Sequence, residues 1–331
     1  MNGHTRLITD ASLPHTFRVC DQVARKAQES HLRLVRIHIW LGLMLVSISQ
    51  MVYSLCDALA KTPTSSRVPV RLWLVPLGLG ACVTLGSRLL LRTRQREQIW
   101  CRSRAAAEQI RSCAWFYMMQ VDPDRHAGFD DREPSWSREA LIRDIESIRE
   151  KWIMAVPHGI SVVAEGPEVS PEMEVMRDLP FESRLRIYQA TRVQDQLQYY
   201  SRRANECARK QRLFTALTEL FECGAVIFAV LVMLDADELV RLIATAPIAW
   251  TVFLSPCLTA AAATLAWMSY KRYSELRSSY GTIAEQLQSL QQEYTHLAGG
   301  SPGHDRLARF VRDCESLLTV ENQTWFVRRS A

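Results

Sequence analysis

The chain has 331 residues, 40 Lys and Arg against 35 Asp and Glu, a formal charge of +5 and 48% hydrophobic residues, a length for one large or two ordinary domains. The mild basic excess alone is only a weak pointer to anionic lipid or nucleic acid. Nine Cys without a CxxC pair or a Cys/His cluster at metal spacing argue against a disulfide framework and a zinc site, and for a reducing compartment around the charged parts.

Mean hydropathy is −0.09, an average over charged windows and apolar ones. Residues 1–14 read as a disordered N-terminus. From Ile37 to Cys56 run 20 residues with no Asp, Glu, Lys or Arg, the length a helix needs to cross a hydrocarbon core. Leu72 to Ser87 gives a shorter run between Arg71 and Arg88, which can snorkel. The tract Val121 to Trp136 reads as a polar loop. Pro157 to Pro180, with four prolines and two glycines, reads as a linker with room for a short strand at Ile160 to Ala164. Leu213 to Leu234 is long enough to span but carries Glu219 and Glu222, and Leu242 to Tyr270 is uncharged over 29 residues. A soluble helical core would have to bury three long uncharged runs in one small chain without lipid.

The expected fold is therefore an all-α integral membrane protein, with four transmembrane helices as two hairpins and long cytoplasmic helical extensions. The spans fall at about 37–56, 72–88, 213–234 and 242–270. Eighteen basic residues flank the outer ends of the runs, against four (Lys61, Arg67, Arg71, Arg241) in the hairpin tips. Positive residues stay in the cytoplasm, which predicts a multi-pass inner-membrane protein with both termini cytoplasmic. Arg88, Arg92, Arg94, Arg96, Lys271 and Arg272 are the candidate contacts to lipid head groups.

Two stretches repeat at an offset of 177: AEQIRSCAWFY (Ala107 to Tyr117) and AEQLQSLQQEY (Ala284 to Tyr294). ARKAQE and SRRANE match at the same offset; RDIESI (Arg143 to Ile148) and RDCESL (Arg312 to Leu317) match at 169. Three matches in one order around two hairpins mark a tandem duplication. Domain 1 is placed at 15–156 and domain 2 at 181–331. The helices leaving each second run are amphipathic, with stripes Ile99, Ala106, Ile110, Trp115 and Ile283, Leu287, Leu290, Tyr294. With no breaker before the apolar runs, they are expected to continue into them.

Arg212, Thr215, Glu219 and Glu222 form one polar stripe. Carboxylates in hydrocarbon face a bundle or water, so rings of Glu219 and Glu222 would favour cations in an oligomer; the other reading puts both at the cytoplasmic interface, paired with Arg212 or Lys210. Thr251, Ser255 and Thr259, at i, i+4 and i+8, complete the candidate pore lining, although such stripes also serve helix packing.

The helix with Trp100, Arg104, Ala107, Glu108 and Tyr117, and the tail ESLLTVENQTWF (Glu315 to Phe326), resemble the SLATT family, the SMODS- and SLOG-associating two-transmembrane effector domains, here twice in tandem. Trp100, Arg104, Glu108, Tyr117, Glu285, Tyr294 and Trp325 stand at the family-motif positions. Copy 2 departs from the pattern with Arg277 for the Trp and Gly281 for the Arg, pointing to two subtypes. The resemblance implies a bacterial antiphage effector that oligomerises and permeabilises or depolarises the membrane when triggered by a nucleotide-generating or nucleotide-sensing protein in trans. The alternatives are a non-conducting scaffold that recruits a cytoplasmic partner and a small transporter. No Walker loop, GxSxG or HExxH is present, so the chain reads as a non-enzyme without cofactor or metal. Its expected partners are the bilayer and further copies of itself, not nucleic acid.

Overall fold

The computed structural model describes residues 8–60, 68–123, 136–156, 166–233, 249–297, 306 and 308–319, and every regular element among them is helical. A 3-10 turn (Asp10–Ser12) precedes α1 (His15–Ala60), α2 (Val68–Met119), α3 (Arg138–Ala155), α4 (Pro171–Asp178) and α5 (Phe181–Tyr188). A π-turn, Gln189–Val193, then leads into α6 (Gln194–Met233), α7 (Ala249–Lys271) and α8 (Tyr273–Leu297). The last helix, α9, covers 308–319.

The all-helical expectation holds. The four-span integral membrane architecture is corrected: among the described residues, no helix is long and apolar enough to cross a membrane. The reason is plainest in α6, where Glu219 and Glu222 are exposed and Thr218 sits on the buried face. Both hairpin tips fall partly or wholly outside the described residues, as does Leu242 to Ile248 of the last run. Continuity of the helices is observed for α1 and α2, which are 46 and 52 residues long. In copy 2 the second helix breaks instead at Arg272, whose φ of 50° separates α7 from α8.

The chain divides into two compact units. The first takes in residues 1–31, 94–203 and 279–331, so it draws on both copies of the duplication. Its core holds Phe17, Cys20, Ile110, Met118, Leu141, Ile145, Tyr188, Leu287 and Val311, each at most 1% exposed. Ile110 and Leu287 occupy the same position in the two copies, and both are fully buried. Ser137 starts α3 by accepting from the Ala140 amide at 3.2 Å, and Ser170 starts α4 by accepting from Met173 at 3.2 Å.

Two segments expected to lack structure contribute to this core. Thr9 and Ser12 form a capping box around the 3-10 turn, between the buried side chains of Ile8 and Leu13. Within the 157–180 segment read as a linker, α4 buries Met173 and Met176 completely. In both places two apolar side chains flank or share a single turn, a signal too short for periodicity to register. The possible strand at Ile160 to Ala164 lies outside the described residues.

On α3, Trp152 donates its indole N–H to Ser103 Oγ of α2 at 2.9 Å, and Ser103 is fully buried. Ser103→Ala leaves that N–H without an acceptor. It should lower unfolding free energy by about 1–3 kcal/mol, read by urea denaturation; loss under about 0.5 kcal/mol would mean that water replaces the hydroxyl.

The second unit takes in 32–93 and 204–278. Here Thr218 and Thr264 hydroxyls meet at 2.8 Å, and Phe214 stacks on Tyr273 at 6.0 Å. Ala225 and Ala261 are buried, and such small side chains let backbones approach closely. Large apolar side chains stay exposed: Trp40 and Met44 on α1, Leu213, Leu220 and Ile227 on α6, Leu258 and Leu265 on α7.

Candidate functional site

The first unit buries charge at its centre. Glu108 on α2 is 6% exposed. Its Oε1 takes Arg104 at 2.6 Å and Arg111 at 3.3 Å, both from its own helix one turn away. Its Oε2 lies 3.7 Å from Arg192, which the π-turn presents. Arg192 in turn grips Glu315 of α9 in two parallel bonds, Nε to Oε1 at 3.0 Å and Nη2 to Oε2 at 2.9 Å. Glu315 also accepts from Tyr188 Oη at 3.0 Å and Ser112 Oγ at 2.7 Å. A buried carboxylate is stable only when its lone pairs are engaged in this way.

The network reaches outward through Arg104, which also binds Asp21 of α1 at 2.9 Å, and Asp21 binds Arg25 at 2.7 Å. Arg111 reaches Asp10 at 2.8 Å and lies 4.7 Å over the Phe17 ring. Four guanidiniums (Arg25, Arg104, Arg111, Arg192) thus face four carboxylates (Asp10, Asp21, Glu108, Glu315), and the cluster is neutral overall.

Burial alone would raise the Glu108 carboxyl, but Arg111, Arg104 and Arg192 outweigh it and bring the group down to about 2. Burial likewise works against the Arg192 cation, yet Glu315 and Glu108 hold it protonated well above its ordinary range. Tyr188 is pushed up by burial and then by Glu315, so its hydroxyl remains a donor. The nearby thiols of Cys20 and Cys113 are pushed up to about 12, mainly by burial, which makes them poor nucleophiles.

The π-turn places Arg192 here. The Gln194 amide donates to the Gln189 carbonyl, a bond five residues long, and Thr191 Oγ1 donates to Ile187 O at 2.7 Å. Upstream, the inward ladder runs Phe181, Leu185, Tyr188, Arg192; downstream it runs Val193, Leu197, Tyr200, Ala204, Cys207. Each ladder alternates steps of three and four, and the join is a step of one. One residue inserted into the helix, absorbed as a π-turn, keeps both ladders facing the core. That step of one is readable in the sequence and is the signal that would have found Arg192.

Of the family-motif positions, Arg104 and Glu108 enter this network. Trp100 is half-buried, its ring 5.9 Å from that of His31. Tyr117 is buried at the end of α2; its carbonyl accepts from Arg177, whose guanidinium also lies 4.3 Å over the Tyr117 ring. Tyr294 stacks on Phe310 at 4.7 Å. Glu285, the copy-2 counterpart of Glu108, is exposed, and Trp325 lies outside the described residues. Of the pore-lining candidates, Glu219 and Glu222 are exposed, Thr215 and Thr259 half-buried, and the side chains of Thr251 and Ser255 lie outside the described ones. Among the lipid-contact candidates, Arg88, Arg92, Arg94 and Arg96 are exposed. Lys271 lies 4.9 Å over the Trp267 ring, and Arg272 pairs with Glu275 at 2.6 Å. Glu315 was legible only as the first residue of the tail motif, and Arg192, Tyr188, Ser112, Asp21 and Arg111 were not singled out as site residues.

The class that fold and site define is an all-α tandem-duplicated protein whose two copies share one core through a buried ionic cluster. Residues 14–185 match the SMODS and SLOG-associating two-transmembrane effector domain 3, and residues 188–325 match effector domain 1 of the same series. The chain belongs to the SLATT family, with two different members of it in tandem. Comparison with curated proteins and with solved structures finds no match.

Proposed function

We propose that this chain is the membrane-acting effector of a bacterial antiphage system, which assembles into oligomers and permeabilises or depolarises the inner membrane when a nucleotide-linked partner triggers it. Family membership over both halves carries the reading. The exposed apolar side chains of the second unit, with Arg88 and Arg92 exposed on its part of α2, give it a surface suited to an anionic bilayer. The first unit, cytoplasmic with both termini in this reading, would receive the trigger, because it is where residues of both copies meet. The partner is a separate protein that makes or senses a nucleotide.

The test is ion and dye release from liposomes containing anionic lipid, with wild type against Glu219→Leu/Glu222→Leu. Release is expected for wild type, with cation preference reduced at least about fivefold in the double variant if the carboxylates line the path. Absence of release and of growth arrest on overexpression, even with the triggering partner supplied, would overturn the reading and leave a non-conducting scaffold.

A further inference from the structure

Between the end of α8 and the start of α9 the first unit holds a pocket that the ionic cluster does not use. Its volume is about 120 Å³, close to the ~150 Å³ of an engineered cavity that takes benzene. Leu290, Tyr294 and Phe310 give it an apolar side. That side is held firmly: Phe310 is 6% exposed, stacks on Tyr294 and stands edge-on to Tyr188 at 6.4 Å, whose hydroxyl donates to Glu315. Glu293, Arg306, Arg309 and Asp313 supply the rest of the lining. Charges of both signs thus meet at one pocket, yet among the described residues none of these four side chains forms an ion pair. Elsewhere in the unit an exposed couple, Arg138 and Glu174, does pair, at 2.9 Å. Burial raises the Asp313 carboxyl above its ordinary value against the pull of Arg309 and Arg312, so the carboxylate side of the pocket favours a further positive charge.

The duplication supplies an internal comparison. At the offset of 177, Glu293 and Tyr294 answer to Phe116 and Tyr117; at 169, Arg306, Arg309 and Phe310 answer to Ser137, Ala140 and Leu141. Copy 1 packs Phe116 edge-on to Trp136 at 6.0 Å and lays the Arg177 guanidinium over the Tyr117 ring at 4.3 Å. Copy 2 has charges in place of Phe116, Ser137 and Ala140, and among the described residues no cation lies over Tyr294.

We propose that this pocket binds a small zwitterion of the amino-acid type. Arg306 and Arg309 hold its oxyanion through charge-assisted hydrogen bonds. Its ammonium takes toward Tyr294 the place that Arg177 takes toward Tyr117, with Glu293 and Asp313 as counter-charges. Its apolar part lies against Leu290 and Phe310, as in other concave sites where a few polar groups fix the orientation. A bare anion would face the two carboxylates uncompensated, and a bare cation the two guanidiniums. The inference goes beyond the proposed membrane activity and stands without it, because binding is read directly.

Isothermal titration of the full chain in detergent with each proteinogenic amino acid tests this. At least one should bind. Its analogue without the amine and its analogue without the carboxylate should each bind at least about tenfold more weakly, the scale of one charge-assisted hydrogen bond. Arg309→Ala, which puts the copy-1 residue there, and Glu293→Gln should weaken binding of the same amino acid to a similar extent. Both side chains are exposed and form no ion pair among the described residues, so both variants should melt with wild type. A folded chain that binds no amino acid overturns the proposal. So does an analogue that binds as tightly as its parent, which would make this a site for a bare anion or a bare cation. Binding left unchanged by either variant also overturns it, because the ligand would then sit elsewhere.

Discussion

Replacing Glu315 by Ala is expected to lower the unfolding free energy by about 3–5 kcal/mol, a large part of the 5–15 kcal/mol typical of a folded domain. The carboxylate is fully buried and accepts from Arg192 twice, from Tyr188 and from Ser112. Its removal strands a guanidinium that is 2% exposed. The penalty comes from that stranded cation more than from the lost bonds, so Arg192→Met together with Glu315→Leu should lie closer to wild type than Glu315→Ala alone. Guanidinium titration followed by circular dichroism checks both; a double variant as weak as the single one would mean that Glu108 depends on Arg192 more than on its other two arginines.

The second large effect is acid sensitivity centred on Glu108. Its carboxyl lies at about 2 in the folded chain against 4.5 in an unfolded one. A group whose folded value is depressed contributes stability that is complete above the unfolded value and lost as pH falls through the folded one. The loss should therefore run from about pH 4.5 to about pH 2 and approach about 3 kcal/mol at its acid end, from 1.36 kcal/mol per unit. The raised Arg192 adds nothing to that window, because its contribution disappears only on the alkaline side, as pH rises through its own value. Glu108→Gln should flatten the acid limb and start from a lower stability at pH 7, since three guanidiniums then face a neutral amide. Thermal melts across pH 2–7 check this; an acid limb as steep in Glu108→Gln as in wild type would assign it to another carboxylate.

Helix type and duplication were legible because their signals are local. A stripe at a spacing of three and four residues declares an amphipathic helix whatever it packs against, and Ile110 and Leu287 show the two stripes buried alike. The apolar runs were legible as apolar, but their length argued for four spans, whereas no described helix is long and apolar enough to cross. Hydropathy ranks a run by its own residues. It does not see that Thr218 is the side chain α6 buries while Leu220 is exposed.

The sequence by itself determined the helical class, the tandem repeat and the family, all written in spacings of a few residues or in matches at two offsets, 177 and 169. The tertiary structure alone decided that the copies share a core and that equivalent residues have unequal fates. Glu108 is buried and its counterpart Glu285 exposed; Glu315 is buried and its counterpart Glu146 exposed. It also decided which charges meet, joining Ser112 to Glu315 across 203 residues and Arg192 to Glu315 across 123. The physical reason is that a carboxylate is costly to bury until its partners are in place, and those partners are supplied by how distant helices pack, which no local pattern records.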